Sequence, residues 1–264
     1  MREIVHDAGA RSGEFVQSLE RGLSVIRAFG TDRARMTLSE VAREAELSRA
    51  SARRFLHTLV ELGYVVTDGR VFALRPQVLE LGYAYLSSLS LPEVAQPHLE
   101  QLAEDVGESS SVAVLDGADI VYVARVATHR IMSAAIQIGT RFPAVATSMG
   151  RAVLAHVPDG EREALLAAVT LAPLTPRTIT DKGVLRAELA TVREQGWALV
   201  DQELEEGLRS VAAPLRDGTG RVVAAVNVSA PVRRGPVEQM ATEILPALLR
   251  AAREIEADLA RTRT

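Results

Sequence analysis

One stretch near the start, residues 37–74, constrains the fold more than any other. Thr37-Leu38-Ser39-Glu40 has the form of a capping box, in which a hydroxyl and a carboxylate close the first turn of a helix reciprocally. Leu38, Val41, Ala42 and Ala45 then supply the apolar stripe of a short helix that stops around Glu46-Leu47. Ser48 is placed to cap a second helix running to about Leu62, with Gly63 as its C-terminal stop. Beyond it Tyr64-Val65-Val66-Thr67 and Val71-Phe72-Ala73-Leu74 flank Asp68-Gly69, and Asp-Gly between two β-prone runs predicts a hairpin. Upstream, Leu19, Leu23, Ile26 and Phe29 fall near a helical period within Val16–Phe29. Helix, helix, short turn, helix, hairpin is the order of a winged helix-turn-helix.

The helix after Ser48 divides its residues between two faces. Ala52, Phe55, Leu56 and Leu59 recur at i, i+3, i+4, i+7 and form a packing stripe. The opposite face carries Ala50, Arg53, Arg54 and His57, with Arg49 in the first turn. A recognition helix needs this division: one face locks it in place, the other offers donors to the major groove. Arginine bonds both acceptors of a guanine edge, and alanine fits against a thymine methyl. Ser48 and Ser51, near the helix start, suit phosphate contacts. Arg70 in the hairpin and Arg75 after it are further phosphate candidates, or plain surface residues. An arbitrary helix with such a charged face is usually just solvated. The capping box, short helix, turn and hairpin around it favour DNA, and the expected partner is double-stranded DNA.

The chain has 264 residues, 47% apolar and 24% charged, enough for two domains with sizeable cores. The absence of cysteine excludes disulfides and thiolate metal sites and fits a reducing compartment. No apolar run approaches a membrane span, and residues 1–14 read as a polar tail without the apolar stretch of a secretory signal. The expected location is the cytoplasm. A net charge of −4 hides an asymmetry. Residues 14–75 hold ten Lys and Arg against eight Asp and Glu, a balance of +2; residues 76–264 hold eighteen against twenty-four, a balance of −6.

After the winged helix-turn-helix domain (15–75), residues 76–91 read as a linker helix apolar on more than one side, and 92–264 as a second domain. A helix is expected over Glu93–Val106. Ser110–Leu115 and Ile120–Val126 form a hairpin around Asp116-Gly117, and Met132–Ile138 reads as a third strand. Helices follow at Thr147–Ala155, Asp159–Ala168 and Asp181–Gly196, and strands at Trp197–Asp201, Ser210–Leu215 and Val222–Ser229. A long helix over Pro236–Arg261 closes the chain. Strands grouped with helices at the ends predict an α+β sheet domain.

Asn227 and Ser229 occupy alternate positions of a strand otherwise made of Ala and Val, so they share one face. If that face is buried they need partners, either neighbouring backbone or a ligand carboxylate. Thr147 and Ser148 sit at a helix start, where free N–H groups favour an anion, or where Thr147 is merely a cap. Arg125 and Arg209 are candidate carboxylate clamps; Glu203, Glu205 and Glu206 are the competing internal partners. Nothing points to catalysis. The five histidines, at 6, 57, 98, 129 and 156, lie at no metal-ligand spacing. There is no His-Glu-x-x-His, phosphate-binding loop or nucleophile elbow, and Gly218-x-Gly220 lies inside a hairpin turn. Neither a metal nor a cofactor is expected.

Taken together, the motifs resemble the IclR family of bacterial transcription regulators. The resemblance runs over about residues 15–260. It is carried by Ser18-Leu19-Glu20-Arg21-Gly22-Leu23, by Leu38-Ser39-Glu40-Val41-Ala42-Arg43, and by Leu47 through Leu56 and Leu59 through Val65. In the second domain it continues through Ile120-Val121-Tyr122-Val123-Ala124-Arg125, Gly139…Pro143…Ala146 through Ala152, and Gly207 through Pro214. Gly82-Tyr83-Ala84-Tyr85-Leu86 and Ser109 through Gly117 look most like the group controlling β-ketoadipate-pathway genes. The resemblance implies a winged helix-turn-helix, a linker helix and a GAF-like antiparallel-sheet effector domain, in a homodimer or homotetramer on a palindromic operator. It implies an organic-acid effector, an aromatic acid or ring-cleavage product such as protocatechuate or β-ketoadipate. The pocket it implies includes Ser148 and Met149, Asp201, Leu208, Arg209 and Ser210, Asn227 and Ser229, with Ile131 and Ala134 at the entrance. The other class open to such a chain is a DNA-binding scaffold governed by a protein partner, with no small ligand.

Overall fold

The computed structural model describes residues 15–81, 91–128 and 136–262. The chain divides into two compact units, Met1–Tyr85 and Leu86–Thr264.

In the first unit α1 (Gln17–Arg27), α2 (Leu38–Glu44) and α3 (Arg49–Glu61) pack with a three-stranded sheet. Its strands, in spatial order, are β1 (Met36–Thr37), β3 (Val71–Leu74) and β2 (Val65–Thr67). The capping box forms: Glu40 N–H donates to Thr37 Oγ1, and Thr37 N–H donates to Glu40 Oε2 at 2.7 Å. α2 stops because Glu46 turns left-handed (φ 53°). Leu47 N–H then reaches back to the Ala42 carbonyl at 2.9 Å and Glu46 N–H to that of Arg43 at 3.2 Å. This is a Schellman stop with glutamate where glycine is usual. Val25, Val41, Leu56, Leu59, Val65 and Phe72 close the core between the helices and the sheet. Pro76–Leu79 forms one 3₁₀ turn after β3; most of the expected linker helix lies outside the described residues.

The second unit is a six-stranded antiparallel sheet in the order β6-β5-β4-β9-β8-β7. The strands are β4 (Ser109–Asp116), β5 (Asp119–Val126), β6 (Arg141–Pro143), β7 (Ala198–Asp201), β8 (Leu208–Arg216) and β9 (Val222–Pro231). The helices are α4 (Leu91–Val106), α5 (Ser148–Leu154), α6 (Asp159–Ala168), α7 (Lys182–Gln195) and α8 (Leu245–Thr262), the last preceded by a π turn, Met240–Ile244. The strand period of two sorts the side chains. Val112, Val211, Val226 and Val228 point to one face, under α4 and α8. Ala113, Tyr122, Ala212 and Ala225 point to the other, under α5 and α7.

One expected strand is misplaced. Residues 136–138 are not strand, and 132–135 lie outside the described residues. The strand beside β5 is Arg141–Pro143, paired Val121 to Arg141 and Asp119 to Pro143. Three residues ending in proline carry no periodic signal, and an edge strand tolerates a missing N–H.

The alanine-rich face lets α5 approach closely. A Cβ on Gly150 would stand 2.0 Å from the Ala144 carbonyl oxygen, so only glycine fits there.

Candidate DNA-reading helix and effector cleft

Ser48 caps α3, its Oγ accepting from Ser51 N–H at 3.2 Å and donating to Ser51 Oγ at 3.0 Å. Ala52, Leu56 and Leu59 are buried beneath the helix. Arg49, Ala50, Arg53, Arg54 and His57 are all exposed, and Ser51 is half-buried. None of these arginines forms an ion pair among the described residues, although Arg33, Arg35 and Arg43 in the same unit do. In the hairpin Asp68 Oδ1 accepts from Arg70 N–H at 3.0 Å and Val71 N–H at 2.9 Å. These bonds hold its carboxyl below the usual range, with Arg35 adding to the effect. Gly69, at φ 89°, completes the turn and leaves the Arg70 side chain exposed. Arg75 is exposed as well.

In the second unit six of the expected effector residues converge. Ser148 and Met149 from α5, Leu208 and Ser210 from β8, and Asn227 and Ser229 from β9 line one cleft. Tyr122, Ala146, Thr147, Val200 and Leu204 complete its wall. The cleft holds about 350 Å³ including open solvent, but the clear space at its centre is about 10 Å³, room for about one water. A ring-sized ligand therefore requires the walls to part.

The polar atoms form two rows across the sheet. In the first, Arg125, Ser111 and Asn227 are register partners on β5, β4 and β9. In the second, Ser109, Ser229 and Ser210 are partners on β4, β9 and β8. Arg125 Nη1 donates to Ser111 Oγ at 3.0 Å, Asn227 Nδ2 to Ser229 Oγ at 3.0 Å, and Ser148 Oγ to Ser210 Oγ at 2.9 Å. Two buried atoms in the first row remain unbonded: Arg125 Nε and Asn227 Oδ1. Burial lowers the Arg125 pKa, the mark of a cation without a compensating acid. Burial pushes the Tyr122 hydroxyl up to about 12, with Arg125 opposing. Thr147 takes the role of cap, its Oγ1 accepting from Gly150 N–H at 3.1 Å.

The other expected residues stand apart. Arg209 is buried and occupied: its Nε donates to Asp201 Oδ1 at 2.7 Å and its Nη1 to the Gly235 carbonyl at 2.9 Å. Asp201 also accepts from Arg177 Nη1 at 2.5 Å, and none of Asp201, Arg209 and Arg125 lines the cleft, Arg125 standing two strands from Asn227 along the first row. The partner of Arg209 is thus Asp201, not one of the glutamates 203, 205 and 206. Ile131 and Ala134 lie outside the described residues. Sequence reading overlooked Tyr122, Val200 and Leu204 as cleft walls. It also overlooked a buried ion pair, Arg151 with Glu203. The available signal was a lone arginine in the apolar run Ser148-Met149-Gly150-Arg151-Ala152-Val153-Leu154.

A winged helix-turn-helix unit with a free arginine face, followed by a sheet unit with a buried polar cleft, defines a two-domain DNA-binding transcription regulator. The helix-turn-helix model of the IclR family matches residues 18–69, and the C-terminal model of bacterial IclR transcriptional regulators matches 83–257. The chain belongs to the IclR family. It is 44% identical to the Pca regulon regulatory protein of Pseudomonas putida over 243 residues, 92% of this chain and 84% of that protein. A transcriptional regulator from Rhodococcus sp. RHA1 superposes with a TM-score of 0.84 at 58% identity, over 94% of this chain and all of that one. An IclR homologue from Microbacterium hydrocarbonoxydans complexed with 4-hydroxybenzoate superposes with a TM-score of 0.81 at 30% identity, over 92% and 98% of the two chains. The family models and the Pseudomonas putida relative are those of transcriptional regulators.

Proposed function

We propose that the chain binds a palindromic operator as a cytoplasmic homodimer or homotetramer, and that an organic acid in the cleft sets its affinity for that operator. Arg49, Arg53, Arg54, His57 and Ala50 read base edges, while Ser48, Ser51 and Arg70 hold phosphates. The effector is an aromatic acid or a ring-cleavage product. Arg125 takes its carboxylate, with Asn227, Ser229, Ser210 and Ser148 around the polar part and Met149, Leu208 and Tyr122 around the carbon frame.

The observation that carries this reading is the pair of unbonded buried atoms on one polar row, Arg125 Nε and Asn227 Oδ1. Buried polar groups without partners cost stability unless something binds them. An acid that also bears a hydrogen-bond donor meets both needs, its carboxylate accepting from Arg125 Nε and its donor giving to Asn227 Oδ1. The 4-hydroxybenzoate held by the Microbacterium homologue is a molecule of that kind.

The test is calorimetry and thermal melting with 4-hydroxybenzoate, protocatechuate and β-ketoadipate. One of them is expected to bind and to raise the melting temperature by mass action. Arg125→Ala is expected to weaken that binding by about tenfold or more, the loss of a charge-assisted hydrogen bond. If none of the acids shifts the melting temperature at about millimolar concentration, the effector assignment fails.

A further inference from the structure

Arg151 is the only charged residue of α5, and its side chain is 1% exposed. Its guanidinium makes a fork-to-fork pair with Glu203: Nη1 donates to Oε1 at 2.7 Å and Nη2 to Oε2 at 2.5 Å. Its Nε donates to the Val145 carbonyl at 2.9 Å, and Glu188 Oε1 stands 4.0 Å from Nη1. Glu203 is bound on its far side as well. Its Oε2 accepts from Ile179 N–H at 3.0 Å, and its carbonyl accepts from Thr178 Oγ1 at 2.7 Å. The preceding carbonyl, of Gln202, accepts from Thr175 Oγ1 at 2.7 Å.

This pair lies between two cavities. Ser148 and Met149, on the same helix as Arg151, and Leu204, next to Glu203, line the effector cleft. Val145, Thr178 and Ile179, which bond to Arg151 or Glu203, line a second hollow of about 300 Å³ including open solvent, with about 30 Å³ of clear space, bordered also by Pro143 and Leu174. Ala146 belongs to both walls.

We propose that Arg151 is a positioning residue. Through Glu203 it locks the 202–208 loop to α5 and to residues 175–179, and so fixes the width of the effector cleft. The inference rests on the effector reading above. The cleft is too narrow for a ring until its walls part. A bidentate buried pair resists separation, because either charge left alone is strongly unfavourable. The pair therefore moves as a unit. When the cleft opens, Glu203 carries Thr178 and Ile179 with it, and the second cavity changes shape. Packed interiors rearrange between discrete states rather than stretch.

The decisive variant is Arg151→Met with Glu203→Leu in the full chain. Arg151→Met alone strands a buried carboxylate and can unfold the domain, whereas removing both charges at similar volume is often neutral. The double variant is expected to melt close to wild type and to bind operator as wild type does without effector. It is expected to bind the acid that wild type binds, among 4-hydroxybenzoate, protocatechuate and β-ketoadipate, about tenfold or more weakly. Arg151→Lys, which keeps the charge but not the fork, falls between the two. A purely structural pair lowers the melting temperature and leaves effector affinity intact, and that result overturns the inference alone. Wild type that binds none of the three acids overturns the effector reading and this inference with it. Amide exchange in wild type gives a check that does not depend on a variant folding. Addition of the acid must change protection at Thr178 and Ile179 together with 202–208; change in the loop alone overturns the coupling.

Discussion

On α3, Arg49, Arg53 and Arg54 stand exposed with no acidic partner among the described residues. In the sheet domain the buried Arg151 holds Glu203 and the buried Arg209 holds Asp201 at 2.7 Å. The residue type is the same and the roles are opposite. A paired, buried arginine is bound into the structure and cannot be spared for a ligand. An exposed, unpaired one contributes little to stability and remains free for an outside anion. Arg125 differs from both, half-buried with an unbonded Nε and no acidic partner among the described residues, and it is for that reason that the proposed effector's acid group is assigned to it. The comparison turns "which arginines matter" into a question about partners rather than about charge.

The contrast is put under most strain by removing a counter-ion. Asp201→Ala leaves the Arg209 guanidinium buried without its acid, and is expected to lower stability by about 3 kcal/mol in urea unfolding. Arg53→Ala, by the same measurement, is expected to stay within about 0.5 kcal/mol of wild type. Equal losses from the two would erase the distinction.

A neutral substitution in the helix that carries Arg151 separates packing from charge. Gly150→Ala places a methyl 2.0 Å from the Ala144 oxygen, against backbone that cannot swing aside. A loss of about 2 kcal/mol is expected from overpacking, read in the same unfolding experiment. The shift of α5 is also expected to weaken effector binding, since Ser148 and Met149 move with it.

The smallest effect concerns His156, where burial holds the pKa below its ordinary 6.5, with Arg216 and Arg193 adding to the depression and the Ala152 carbonyl at 3.0 Å opposing it. The unfolded chain then takes up the proton before the folded one does. Stability is full above the unfolded value and falls as pH drops through 6.5 toward the lower folded value. His156→Asn removes this share of the decline. Unfolding midpoints compared at about pH 7.5 and about pH 5.5 should differ less in the variant than in wild type.

Much of this was legible in the sequence because the signals are local. The capping box at Thr37, the Ser48 cap, the stop at Gly63 and the Asp68-Gly69 turn each depend on neighbours a few residues away, and together they spell the DNA-binding unit. Asn227 and Ser229 were legible for the same reason, through strand alternation. What sequence reading lacked was long-range pairing. Arg209 and Asp201 are only eight residues apart, yet their bond depends on the register of β7 against β8. Arg151 and Glu203 are fifty-two residues apart and meet only because α5 lies on the sheet near the 202–208 loop. Strand β6 went unseen because three residues ending in proline offer too little pattern to read.

The central claim is that the unpaired arginines of α3 carry the reading of DNA. It is tested most directly by fluorescence anisotropy on the duplex that the wild-type protein selects from a random pool, with a scrambled duplex as reference. Arg53→Ala with Arg54→Ala should lose about a hundredfold or more in affinity for the selected duplex, nearing its affinity for the scrambled one. Arg33→Ala, which removes an arginine of the same domain that is paired with Glu44, should stay within about threefold. If the double variant keeps its preference for the selected duplex while Arg33→Ala loses it, the paired arginine is the reader and the account is wrong.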